Sequence, residues 1–349
     1  MRSVAAVILA AGMGTRMRSD LVKVLHPLSG RPMLEHVIDA VRLAAVDRAI
    51  VVVGHQADRV RQTIKGPVEF VLQEEQLGTG HAVMQAEASL KDFEGLVLVT
   101  YGDTPLYTSK TYQWFIDCHR RSGAKATVLS TIVGDPRGYG RVLRREDGSF
   151  AEIVEQKDID SLDVESVREI NTGTYCFDAR ALFEFLKNLR NDNRQGEYYL
   201  TDVLKALRAS DEPVDIVVLP DETEALGIND RIQLAQAEQV LRRRALASLM
   251  ESGVTIVDPD ATYIHSSVTI GKDTVIYPFT SIEGETSIGE GCRIGPNVRI
   301  VDSKLGDSVT IDASSVYQST VHDRAEIGPY IFVPPGSEVR EGKRIDRQW

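Results

Sequence analysis

Residues 4–33 read VAAVILAAGMGTRMRSDLVKVLHPLSGRPM, and the opening of that stretch sets the fold. Val4–Leu9 is short and wholly apolar, as a strand covered on both faces must be. It runs on through Gly12 and Gly14 to Arg16 and Lys23. Glycines after a buried strand let the main chain approach a ligand closely, and free N–H groups at a helix start can receive phosphate. A P-loop is excluded, because no Lys-Ser/Thr pair follows the second glycine. A dinucleotide fingerprint fails at its third glycine, where Met17 stands. Two readings remain: a backbone cradle for a polyphosphate, with Arg16 and Lys23 supplying charge, or a tight strand-to-helix turn with solvated basic residues.

Around that segment the chain is acidic. Its 349 residues are 42% hydrophobic and 26% charged, with a formal net charge of −11. That is a globular composition with room for two domains, and its sign argues against nucleic acid or a membrane surface as partner. Any anion site therefore has to be a local concentration of cations. No apolar run is long enough to span a bilayer, and no signal-peptide pattern opens the chain. Cys118, Cys176 and Cys292 are too scattered for a disulfide framework or a zinc site. We read them as reduced thiols in a cytoplasmic protein.

The chain changes style along its length. Val4–Leu9, Ala49–Val53, Glu69–Leu72, Leu96–Thr100 and Lys125–Val133 are β-rich runs, and helical patterns such as Met33–Ala44 and Gly80–Leu90 lie between them. Alternation of this kind predicts an α/β domain with a mostly parallel, Rossmann-like sheet and ligands at the strands' carboxyl ends. Asp147-Gly148 between alternating strands reads as a hairpin. Asn229 to Gly253 is one long helix, with Leu234, Val240 or Leu241, Ala245 and Leu249 at helical spacing and Gly253 to end it. Beyond it the period becomes six: Ile264, Ile270, Ile276, Ile282, Ile288, Ile294 and Ile300 are evenly spaced. The register slips by one at Leu305, continues at Ile311, and resumes at Val321, Ile327, Val333 and Val339. One inward aliphatic per hexad predicts a short parallel β-helix of roughly four coils. The expected boundaries are a nucleotide-handling domain over 1–228, a connecting helix over 229–252 and the β-helix over 253–349.

Further motifs follow in order: VLQEEQLGTGHAV (71–83), YGDTPL (101–106), GYGRV (138–142), IVEQKD (153–158), EINTGTYCF (169–177), NRQGEYYLTD (193–202) and GIND (227–230). Together with LAAGMGTRM and KVLHPLSGRPMLEH they resemble the nucleotide-sugar pyrophosphorylases. Within these they are similar to the bacterial N-acetylglucosamine-1-phosphate uridyltransferases, whose β-helix is left-handed. The resemblance implies Mg²⁺-dependent transfer of a uridylyl group from UTP to N-acetylglucosamine 1-phosphate, giving UDP-N-acetylglucosamine for the cell wall, and pyrophosphate. It assigns the nucleotide to Leu9, Ala10, Ala11, Gly12, Gly14, Thr15, Gln73, Gly78 and Thr79, with uracil at Gln73 and Gly78-Thr79. Arg16 would hold the departing β- and γ-phosphates and Lys23 the α-phosphate. The sugar falls to Tyr101, Gly140, Glu155, Asn171, Tyr199 and Thr201, and the metal to Asp103 and Asn229.

The residues support those roles on their own chemistry. Asp103 closes LVLVTYGD (96–103), a strand's carboxyl end, and Mg²⁺ prefers such oxygen ligands beside phosphates and water. As plainer alternatives, Asp103 starts a turn before Pro105, and Asn229 caps the connecting helix. Among the histidines, His26, His36, His55 and His81 are scattered and read as structural or solvated rather than catalytic, with His81 expected to start its helix. The chain departs from the family pattern at Val22, where proline is common. It departs again at Ile327–Gly336, IGPYIFVPPG, where Phe332 and Pro334 replace two arginines of IGPFARLRPG. His265 and His322 in the repeats lack a supporting motif. We therefore expect a naturally short protein without the acetyl transfer of the bifunctional enzymes, assembled as a homotrimer along its β-helix. Competing readings are the same chemistry on another sugar 1-phosphate or NTP, such as glucose 1-phosphate, a hexapeptide acyltransferase, and a non-catalytic nucleotide-sugar sensor.

Overall fold

The computed structural model describes residues 2–159, 161–193 and 195–346; Arg194 of the 193–202 motif and the last three residues of the expected β-helix lie outside them. The chain divides into two compact units, residues 1–27 with 31–234, and residues 28–30 with 235–349.

In the first unit, nine strands form one sheet: β1 (Val4–Ala10), β2 (Arg48–Val53), β3 (Glu69–Leu72), β4 (Leu96–Tyr101), β5 (Ala126–Ile132), β6 (Arg141–Arg144), β7 (Phe150–Val154), β8 (Glu169–Asp178) and β9 (Val214–Val218). The order is β9-β5-β8-β4-β1-β2-β3, with the β6–β7 hairpin attached through β6 to β8. Pairings β1–β2, β1–β4, β2–β3 and β5–β9 are parallel. Strand β8 runs antiparallel between β4 and β5. The sequence pattern passes over β8, because its Asn, Thr and Gly content hides a strand whose stability comes from neighbours on both edges. Every residue of β1 is buried, as the apolar run predicts. The chain builds β2 and β3 on one side of β1 and then crosses to β4 on the other. Such a reversal opens a crevice at the strands' carboxyl ends, where α/β sheets bind ligands.

Helices α1 (Met33–Leu43), α2 (Ala57–Thr63), α3 (Thr79–Met84), α4 (Ser109–Ser122), α5 (Leu162–Ser166), α6 (Ala179–Leu186) and α7 (Thr201–Ala209) complete this unit. Helix α3 is shorter than the expected Gly80–Leu90. Past Met84 the N–H groups reach back three residues instead of four, as in Ala86 to Val83 and Glu87 to Met84, both 3.0 Å. The Asp147-Gly148 turn is present, with Gly148 at φ 81°.

The long helix α8 spans Arg231–Glu251, and its fully buried residues are Ala237 and Leu246. The expected stripe of Leu234, Val240, Leu241, Ala245 and Leu249 is only half-buried. In the second unit, very short strands stack in parallel into three sheets of six, five and five strands. This is more than the four coils expected. Val316, which the broken period conceals, and Ile345, one hexad beyond Val339, also point inward and belong to the same core as Ile294 and Ile300. Pairs such as Ile282↔Ile300 and Ile294↔Ile311 keep like residues stacked, 18 and 17 positions apart. The three-sheeted coil is that of a left-handed β-helix.

Candidate active site

The carboxyl ends of β1 and β4 sit side by side, tied by a hydrogen bond from Gly102 N–H to Leu9 O of 2.9 Å. Beyond β1, the N–H groups of Ala11, Gly12, Met13, Gly14 and Thr15 donate to no acceptor among the described residues. Unpaired amides in an exposed glycine loop are a ready cradle for phosphate oxygens. Gly14 takes φ 62°, and a Cβ there would lie 2.5 Å from Lys23 Cβ. That glycine thus lets the lysine stem pack against the loop.

Beyond β4, Asp103 accepts Ile228 N–H through its backbone oxygen at 2.8 Å. This bond draws GIND alongside YGD from far along the chain. Lys23 Nζ makes an ion pair with Asp103 Oδ2 and lies 3.3 Å from Asn229 Oδ1. The cap role considered for Asn229 belongs to Asp230, whose Oδ1 accepts Gln233 N–H at 2.8 Å. Asn229 keeps its side chain for the cleft.

These groups line a cleft of about 330 Å³. Of the residues expected from sequence, it gathers Leu9, Ala10, Ala11, Gly12, Lys23, Gln73, Gly78, Thr79, Tyr101, Asp103 and Asn229. Gly14 reaches it through Lys23. Thr15 and Arg16 are exposed and do not line it. Val24, Gln76, Ala82 and Glu197 line it without having been singled out. Glu197 lies in a quoted motif, but nothing in the sequence marks it as cleft-lining. Its place is set by a strap: Tyr198 N–H bonds Leu77 O at 2.8 Å and Gly80 N–H bonds Tyr198 O at 2.7 Å. Gly78 permits this approach, since its φ is 106° and a Cβ would meet Tyr198 O at 2.7 Å.

A second cavity of about 280 Å³ is lined by Glu155, Tyr199 and Thr201, together with Glu152, Asp158, Asp202 and Lys205. Thr201 Oγ1 donates to Glu155 Oε1 at 3.2 Å. Burial raises the Glu155 carboxyl above its ordinary range, opposed by that bond. Gly140 adjoins it, as a Cβ there would lie 3.3 Å from Glu155 Oε2, and Gly140 O accepts Asn171 N–H at 2.9 Å. The register of β8 shifts between Asn171 and Thr174. Within that bulge Gly173, at φ 78°, passes directly beneath the Tyr101 ring. Burial, then the Glu155 and Asp103 carboxylates, push the Tyr101 hydroxyl far up. Tyr101 itself lines the first cavity. Four carboxylates against one lysine make the second cavity hostile to phosphate and suited to hydroxyl donors.

An exposed glycine loop at a sheet's switch point, beside a carboxylate–amide pair and an acidic pocket, is the arrangement expected of a nucleotidyltransferase. The model of the MobA-like NTP transferase domain matches residues 6–253, and that of the bacterial transferase hexapeptide (six repeats) matches 267–301. The chain is 48% identical over 340 residues to the bifunctional protein GlmU of Halalkalibacterium halodurans, covering 97% of this chain and 74% of that one. The GlmU proteins of Geobacillus thermodenitrificans and Listeria monocytogenes (serotype 4a) match over the same shares, at 49% and 48% identity. The chain belongs to the GlmU family. It is a nucleotidyltransferase that makes UDP-N-acetylglucosamine by uridylyl transfer to N-acetylglucosamine 1-phosphate, and the family implies a divalent-metal requirement. Among the described residues no helix is long and apolar enough to cross a membrane.

The metal expectation rests on Asp103 and Asn229 alone, since no group of three or more His, Cys, Asp and Glu side chains gathers among the described residues. Their fit is tested by the Lys23 ammonium, a cation already held between these two oxygens. An all-oxygen pair leaves most of the coordination shell to water and phosphate, as Mg²⁺ requires.

Proposed function

We propose that the family reaction runs across these two cavities with Mg²⁺ as the metal, held by Asp103 and Asn229, and with no acetyl transfer by this chain. We take residues 1–228 as the nucleotidyltransferase domain, 229–252 as the connecting helix and 253–349 as the β-helix. The observation that carries the reading is the convergence of Lys23, Asp103 and Asn229 at one point beside the free amides of the glycine loop.

The acceptor's phosphate oxygen forms a bond to the α-phosphorus of UTP while the α–β bridging bond breaks in line, releasing pyrophosphate. Such chemistry needs placement and charge neutralisation more than covalent help. The loop amides bind phosphate oxygens, Lys23 neutralises the crowded α-phosphate, and Arg16 holds the departing pair. The metal supplies charge neutralisation for the triphosphate. Gln73 and Gly78-Thr79 take the uracil, while Gly140, Glu155, Asn171, Tyr199 and Thr201 take the sugar hydroxyls and acetamide. The acidic lining around Glu155 supports a sugar end there, with the phosphates on the Lys23 side.

The absence of acetyl transfer is supported by Phe332, half-exposed on the coil with its ring tilted against that of Tyr317 at a centroid distance of 5.7 Å, where the family pattern has arginine. His322 does find a carboxylate, Glu338 at 2.7 Å, which sequence alone did not reveal. Both side chains are exposed, at 46% and 70%, as in a surface ion pair of little energetic weight. Exposed Tyr263, Phe279, Tyr330 and Phe332 support a homotrimer packed through the coil. A cytoplasmic setting suits the free cysteines and an NTP substrate.

Pyrophosphate release across a panel of NTPs and sugar 1-phosphates tests the reading. UTP with N-acetylglucosamine 1-phosphate should lead, and equal efficiency with glucose 1-phosphate would favour the broader sugar specificity. Acetyl-CoA with glucosamine 1-phosphate should release no thiol above background.

A further inference from the structure

We propose that His81 sets the base preference of the nucleotide site, by locking the amide of Gln73 with its carbonyl toward the base. The inference rests on the reading that uracil lies against Gln73. Gln73 is 3% exposed and borders the cleft. Its Nε2 lies 3.1 Å from Gly78 O and 3.1 Å from His81 Nδ1. A backbone carbonyl can only accept, so the first contact fixes which end of the amide is NH₂. The second amide hydrogen then points at His81 Nδ1, which must accept. His81 is therefore the neutral tautomer protonated at Nε2.

The other ring nitrogen meets Gln85, whose Nε2 is 3.1 Å from His81 Nε2 and 3.1 Å from His81 O. A neutral imidazole cannot accept on both sides. The conflict resolves at Gln85, which is only half-buried and can swing its whole amide out to water, leaving both His81 Nε2 and His81 O to solvent. Gln73 has no such freedom, because turning its amide would set two carbonyl oxygens against each other at Gly78. The ring itself is steadied by Tyr198, with centroids 6.3 Å apart.

With both hydrogens committed inward, Gln73 has only its Oε1 left for a ligand. An acceptor opposite base N3 takes the N3–H of uracil and faces a lone pair on N3 of cytosine. The Gly78 N–H, which donates to no acceptor among the described residues, offers the complementary donor for uracil's carbonyl. A site with fixed hydrogen-bond polarity rejects the base of opposite polarity far better than shape alone does. His81 acts through Gln73 and is a positioning residue.

The test compares kcat/KM for UTP and CTP, with N-acetylglucosamine 1-phosphate as acceptor, in the full chain. His81→Leu should lower the UTP:CTP ratio at least about tenfold, chiefly through KM for UTP. His81→Asn offers an acceptor oxygen where Nδ1 stood and should restore most of that ratio. An unchanged ratio in His81→Leu, or an equal fall in His81→Asn, overturns the proposal. Gln73→Ala separates the two levels. If it leaves the ratio intact, the uracil reading itself fails; if it abolishes the ratio while His81→Leu does not, only the role of His81 fails. Nitrogen-15 NMR of the histidine rings in the unsubstituted protein needs no variant to fold. It should find the His81 proton on Nε2, and a proton on Nδ1 would overturn the assignment.

Discussion

The two units use the same aliphatic residues to opposite ends. In the β-helix each residue's surroundings are supplied by the next coil, and many side-chain hydroxyls find their partners there. Thr274 Oγ1 donates to Gly289 O at 2.9 Å, and Ser319 Oγ to Pro334 O at 2.9 Å. In the α/β unit the polar groups of the cleft come from distant segments and answer one another across it, as Lys23, Asp103 and Asn229 do. A repeat makes a scaffold because every neighbour is the same. A sheet with a topological reversal makes a site because its neighbours differ.

That contrast can be broken most forcefully from the scaffold side. Ile294 is fully buried in the coil. Ile294→Ala should destabilise the second unit by about 2–5 kcal/mol, the cost of an aliphatic-to-alanine cavity. Pyrophosphate release per folded molecule should hardly change. Calorimetry alongside the activity assay checks this, and a parallel loss of turnover would show that the scaffold also shapes the chemistry.

On the site side, Asp103→Asn should keep the fold by circular dichroism and lower turnover about 100- to 1000-fold, the scale for losing one electrostatic stabiliser. Excess chelator should have a comparable effect on the unsubstituted protein. Near-normal rates in either case would remove Asp103 from the metal site.

A histidine-linked pH effect should belong to the α/β unit. Burial on α4 pushes His119 down to about 4, where it holds Thr127 Oγ1 at 2.7 Å. As pH falls below the ordinary value near 6.5, the unfolded chain takes the proton first. Stability is therefore full above about 6.5, falls between about 6.5 and 4, and levels off below, a loss of roughly 3 kcal/mol at most. Glu155 acts in the opposite sense, because its raised pKa favours the folded state at low pH and the gain is lost as pH rises. Urea midpoints of the first unit at pH 6.5 and 4.5 should differ, and His119→Asn should flatten the difference.

The smallest effect is on assembly. Phe332→Glu should alter the folded monomer by no more than about 0.5 kcal/mol, as surface changes do. It should still raise the monomer fraction in light scattering at micromolar concentration. An undisturbed trimer would move the contact to another face of the coil.

Periodicity made much of this molecule legible from sequence. The hexads were plain because a coil repeats its environment, and β1 was plain because burial on both faces admits only apolar residues. The period failed at Val316, where five-residue spacings on either side close a shorter coil that residue counting cannot anticipate. It failed again at β8, whose polar residues are strand-forming only between β4 and β5. Within the site, the glycine loop, Lys23 and Asp103 announce themselves as chemistry at a strand's end. Glu197 and Gln76 do not, since nothing local distinguishes a cleft-lining carboxylate or amide from a solvated one. Sequence by itself determined the two architectures and the residues able to meet phosphate, because backbone periodicity and side-chain chemistry are local properties. Tertiary structure alone decided that Ile228 would tie Asn229 to Asp103, that the bulge at Gly173 would seat the Tyr101 ring at the cleft, and that His81 would face Gln73. Each of these depends on hydrogen bonds or close approach between segments that only the folded chain brings together.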